Sequence, residues 1–84
     1  MHELSIAHDI VATVTRHLPP ENRAQVRWVK LSVGVHNHLA SDSLRFCFEA
    51  ASEGTALAGA RLDIDEALGD EIHVVEFELD DQRY

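Results

Sequence analysis

Cysteine is almost missing from this chain. Cys47 is the only one in 84 residues, which excludes an internal disulfide and any Cys-Cys zinc pair built within it. Long apolar runs are missing too, none approaching the ~20 residues that a membrane-spanning helix needs, so no membrane partner is expected. Basic residues are scarce where acids gather: residues 1–62 hold six acids and six Lys/Arg, whereas residues 63–84 hold nine acids and Arg83 alone, for a net charge of −8. That balance repels a phosphate backbone and argues against a nucleic-acid partner. It leaves the acidic end as a solvated face or as the complement to a basic partner. Met1-His2-Glu3 lacks the basic and extended apolar regions of a secretory leader, and a cytoplasmic location is the expectation. There is no Gly-rich phosphate loop and no nucleophile-base pair in the spacing, so the chain is not read as an enzyme.

What is present is the pattern of one small α+β domain spanning residues 1–84, with 45% hydrophobic residues and room for only an economical core. Leu4, Ala7, Ile10 or Val11, Val14 and Leu18 recur at three- and four-residue spacing and predict a helix over residues 2–18. Pro19-Pro20 ends it. Val29, Leu31 and Val33 alternate with Lys30 and Ser32, the period of a half-buried strand over residues 26–33. Trp28 falls on the polar side, with partial burial expected. Leu44, Cys47, Phe48 and Ala51 predict a second helix over residues 41–52, with Ser41 or Asp42 as N-cap and Gly54 in the left-handed conformation just past its end. Cys47 is read as core packing. Two more strands follow over residues 60–66 and 71–79, the first pointing Leu62 and Ile64 inward, the second Val75, Phe77 and Leu79. The last two strands are expected to form an antiparallel hairpin, and residues 80–84 a frayed tail. The order α-β-α-β-β then predicts a three-stranded mixed sheet, strands 1 and 2 parallel, with both helices packed on one face.

Coordination chemistry collects at the amino terminus. The first N–H groups of a helix have no intrahelical partner. A Ni(II) or Cu(II) ion that favours square-planar N,O geometry can therefore take the His2 imidazole with the backbone nitrogens of His2 and Glu3 and break no helical hydrogen bond. An incidental surface histidine is the competing account. His36 and His38 are two residues apart in the loop after Gly34, where they can converge on a metal or lie solvated. His8 and His17 fall off the core stripe. His17 suits the negative end of the first helix, and His8 is read as exposed.

Three stretches together resemble a known family. Met-His-Glu-Leu-Ser-Ile-Ala at the start, Val-Lys-Leu-Ser-Val-Gly at 29–34 and Leu-Arg-Phe-Cys-Phe-Glu-Ala-Ala-Ser-Glu-Gly-Thr-Ala-Leu-Ala-Gly-Ala-Arg-Leu-Asp-Ile at 44–64 look like the hydrogenase-maturation nickel metallochaperones, the HypA/HybF family. The resemblance implies a protein that carries Ni(II) as transient cargo to a [NiFe] hydrogenase precursor. Its implied partners are a nickel-handling GTPase and the hydrogenase large subunit, with urease a further client in some organisms. It also implies a nickel site made by His2 and the backbone nitrogens of His2 and Glu3, and links Asp42, near the start of the second helix, to that site. The departures are as specific. The family carries a zinc-binding insertion with two Cys-x-x-Cys pairs between what are strands 2 and 3 here, where this chain has only Ala67-Leu68-Gly69-Asp70. No structural zinc is therefore expected. The family's Gly-Glu after the first strand is replaced by Gly34-Val35.

Two functions compete on this reading. One is a zinc-less nickel metallochaperone or maturation accessory, as a monomer or homodimer. The other is a metal-free adaptor that docks to a maturation partner through its sheet and acidic end.

Overall fold

A computed structural model describes residues 3–22 and 24–80. The chain runs α1 (Glu3–Arg16), β1 (Val26–Gly34), a 3₁₀ turn (Val35–Asn37), α2 (Ser41–Ser52), β2 (Arg61–Ala67) and β3 (Ile72–Leu79). This is the expected α+β domain with two helices and a three-stranded mixed sheet. The expected helix start at His2 and the tail at 81–84 lie outside the described residues.

The helices form where the apolar period demands them. Ile6, Ala7, Ile10, Val11 and Val14 bury one stripe of α1, while Leu4, placed on that stripe by spacing, is half exposed because the stripe begins a half-turn later. The last turn tightens, His17 N–H donating to Val14 O and Leu18 N–H to Thr15 O, before the two prolines end it. In α2, Leu44 and Phe48 are buried, and Cys47 and Ala51 pack against the same core. The helix begins at Ser41 as expected, but its N-cap is Ala40, with no side-chain hydrogen bond, and not Ser41 or Asp42, which lie in the first turn. Gly54 does adopt the left-handed conformation, with φ of 76°.

The hairpin expected from strands 2 and 3 does not form. The strand order is β2-β1-β3, β1 pairing parallel with β2 from Trp28–Arg61 to Gly34–Ala67 and antiparallel with β3. Residues 68–71 cross over the end of β1 from one edge of the sheet to the other, a gap of about 10 Å for two strand spacings, within reach of so short a link. Gly34 makes the crossing possible. Its N–H donates to Glu71 O at 2.8 Å, and a Cβ at this position would lie 2.3 Å from Gly69 O.

A second correction lies in β3. Val75 is not inward: it is 55% exposed, because the register slips where Lys30 pairs with Glu76 and Leu31 with Val74. One extra residue makes a bulge. The period-2 alternation therefore restarts, and Ile72 and Val74 share the core side with Phe77 and Leu79. All four are only partly buried. The centre of the core is β1, where Val29 and Leu31 are fully buried, each burial contributing about 1.5–3 kcal/mol. Leu57, in the connection before β2, is also fully buried. It was invisible to periodicity because it stands in a turn whose Ala56 carbonyl accepts from Val26 N–H.

Candidate metal centre

The topology brings four of the predicted ligands, Glu3, His36, His38 and Asp42, to one end of the domain. Residues near the start of α1 share a groove with Asn37, Asp70 and Ile72, so α1 begins beside the point where β1 leaves the sheet and β3 enters it. Glu3 opens α1 at that end. His36 lies in the 3₁₀ turn directly after β1, His38 follows it, and Asp42 stands in the first turn of α2. His2 lies outside the described residues.

Within that end the side chains do not converge. His36, His38 and Asp42 are exposed and Glu3 is half-buried, and among the described residues no group of three or more His, Cys, Asp or Glu is arranged to hold a metal ion. His38 has φ of 63° and ψ of 30°. It is the one non-glycine residue with positive φ among those described, a conformation that His, Asn and Asp adopt more readily than other side chains. This residue turns the chain out of the 3₁₀ segment toward α2. His8 is exposed on α1. His17 Nδ1 lies 2.8 Å from Thr13 O, so with the proton on Nδ1 it donates to a carbonyl that the helix end leaves open.

Spacing did not reveal the clasp that holds the histidine loop. His36 N–H donates to Gly69 O at 2.9 Å, and Asn37 Nδ2 donates to Asp70 O at 2.7 Å. Together with the Gly34 bond, these tie the turn to the 68–71 link. The loop bearing both histidines is thus positioned by the same short segment that, on the resemblance, stands in place of the family's zinc insertion. Asn37 read as an ordinary loop residue; the available signal was Gly34 followed at a distance by Gly69-Asp70, a pair that permits two backbones to touch.

Trp28 and the charged residues of the sheet's helix-free face serve structure. Trp28 Nε1 donates to Glu78 Oε1 at 2.8 Å, accounting for its partial burial. Arg27 lies 3.5 Å from Glu78 and 3.6 Å from Asp80, and Arg61 pairs with Asp63 at 2.8 Å.

The chain is similar in sequence to known proteins. The family described as "Hydrogenase/urease nickel incorporation, metallochaperone, hypA" matches residues 1–72. Similar curated proteins are the hydrogenase maturation factors HypA of Methylocella silvestris, 41% identical over 70 residues covering 83% of this chain and 62% of the relative, and of Nostoc punctiforme, 42% identical over 69 residues covering 82% and 58%. A third, from Chlorobium limicola, is 44% identical over 66 residues covering 79% and 57%. The chain thus spans less than two thirds of the length of these relatives.

Proposed function

Because the chain belongs to the HypA family of hydrogenase/urease nickel-incorporation metallochaperones, we propose that it is a nickel-handling accessory of hydrogenase maturation whose metal end lacks the zinc lobe. The observation that carries this reading is that the family match begins at residue 1, so that His2 and Glu3 fall inside it. In this proposal Ni(II) is cargo, taken by the His2 imidazole with the backbone nitrogens of His2 and Glu3. The free N–H groups of the first turn make those nitrogens available at no cost to the helix. Asp42, His36 and His38 stand at the same end of the fold and are proposed as accessory ligands or as a relay. The proposed recipients are a nickel-handling GTPase and the hydrogenase large subunit.

Calorimetric titration with Ni(II), on protein with its native, unextended amino terminus, tests the reading. Saturable uptake that His2→Ala abolishes is the expected result. Absence of uptake, or uptake unchanged in His2→Ala, would replace it with the metal-free adaptor. A variant carrying His36→Ala and His38→Ala separates the two candidate positions: if it alone loses nickel, the loop and not the terminus holds the metal.

A further inference from the structure

Between α1 and β3 runs a groove of about 500 Å³ that the nickel reading does not use. Its trough is apolar, formed by Ile6 and Ile10 of α1 and by Ile72 and Val74 of β3. Its rim carries two carboxylates, Asp9 and Asp70, and the side chain of Asn37. The Asn37 amide nitrogen is spent on Asp70 O, whereas its Oδ1 is buried with no hydrogen-bond partner among the described residues. The acceptors that the rim presents are thus the exposed carboxylates of Asp9 and Asp70. Among the described residues no Lys or Arg lines the groove, and the one imidazole there, His73, has Nδ1 at 3.8 Å from Glu71.

An apolar trough flanked by carboxylates that have no ion-pair partner among the described residues suits a ligand with an aliphatic stem and a cationic, donor-only head. We infer that the α1–β3 groove receives a lysine or arginine side chain from a protein partner. The stem lies along the isoleucines and Val74, and the head donates to the carboxylates of Asp9 and Asp70. The charge of the whole chain points the same way. With fifteen acids against seven Lys/Arg, it attracts a basic partner surface and repels a second copy of itself. A bare metal ion is a poorer fit, because no three ligating side chains converge among the described residues.

The test is an amide-resolved NMR titration of the whole chain, free of metal, with the capped tripeptides Ac-Gly-Arg-Gly-NH₂, Ac-Gly-Lys-Gly-NH₂ and, as the neutral control, Ac-Gly-Leu-Gly-NH₂. A pH of about 7.5 keeps an ordinary imidazole largely neutral. The basic peptides are expected to give saturable shifts at Asp9, Ile10, Asn37, Asp70 and Ile72, weakened by added salt, and the leucine peptide none. Asp9→Asn and Asp70→Asn, which keep shape and remove charge, are each expected to weaken binding about threefold or more. Asp63→Asn, on the opposite face of the sheet, is expected to leave it unchanged. Equal binding of the leucine peptide, shifts confined to the Asp63 and Glu78 face, or full binding by the Asp9→Asn, Asp70→Asn double variant would overturn the assignment. Groove shifts that depend on protein concentration alone would also overturn it, naming a second copy as the occupant. No metal enters the experiment, so its outcome is separate from the nickel proposal.

Discussion

Gly34 shows how a single residue admits a topology. Its backbone, with φ of −66° and ψ of 134°, is ordinary extended chain, so the constraint is not conformational freedom but the 2.3 Å approach of Gly69 O to the missing Cβ. Backbone has to move to admit a methyl group. Gly34→Ala is therefore expected to lower unfolding stability by about 1–3 kcal/mol, as overpacking does elsewhere, with the loss read from urea midpoints at constant slope. An unchanged midpoint would mean that the 68–71 link swings away freely. Asp63 tests electrostatics at the same scale. Hydrogen bonds from Arg61, at 2.8 and 3.1 Å, hold its carboxyl below the usual carboxylate range. The folded pKa is the lower one, so the pair's contribution is present above the unfolded value of about 3.9 and is lost as pH falls through the folded one. Arg61 is exposed and Asp63 half-buried, so solvent screens the pair. Asp63→Asn should accordingly leave the midpoint near pH 7 almost unmoved while flattening its decline below about pH 4.

At the scale of the element, β3 decides which side chains count. The bulge turns Val75 to solvent and Val74 to the core, although the two are chemically identical and adjacent. Val75→Lys is expected to cost under about 0.5 kcal/mol and Val74→Lys about 2 kcal/mol or more, since the latter takes a charge under α1. Equal costs would place the bulge elsewhere. Phe77 is only partly buried, so Phe77→Ala should cost about 2 kcal/mol, short of the ~3–5 kcal/mol of a fully enclosed ring. The same incomplete cover of β3 by α1 leaves the acidic groove open, so one packing defect accounts for both the modest cost and the proposed binding site.

For the whole molecule, one cysteine cannot supply a Cys₄ site, and elemental analysis of the purified chain is expected to find no stoichiometric zinc. One chelator-resistant zinc per chain would redirect attention to His36, His38 and Asp42. Nickel uptake through His2 requires a neutral imidazole and deprotonated backbone nitrogens, so affinity is expected to rise steeply as pH passes the ordinary imidazole value of about 6.5. Titrations at several pH values check this, and a flat profile would exclude amide coordination. A diamagnetic Ni(II) spectrum is the expected companion of a square-planar nitrogen site.

Local sequence pattern was enough to determine the elements of this protein and their order. The Pro19-Pro20 pair, three-to-four spacing in α1 and α2, and the alternation in β1 act within a few residues of one another, and each leaves its mark whatever the rest of the chain does. The motif beginning at Met1 was legible for the same reason, as was the parallel pairing of β1 with β2, which the α2 crossover requires. Tertiary contacts alone decided the rest. The sheet order placed β1 between the other strands because residues 68–71 can cross its end only over a glycine. The bulge at Val75 arose from pairing against β1, which no alternation within β3 could disclose. The site end was decided in the same way. The clasp between Asn37 and Asp70 joins residues 33 positions apart, and hydrogen bonds over such separations depend on where two backbones meet in space.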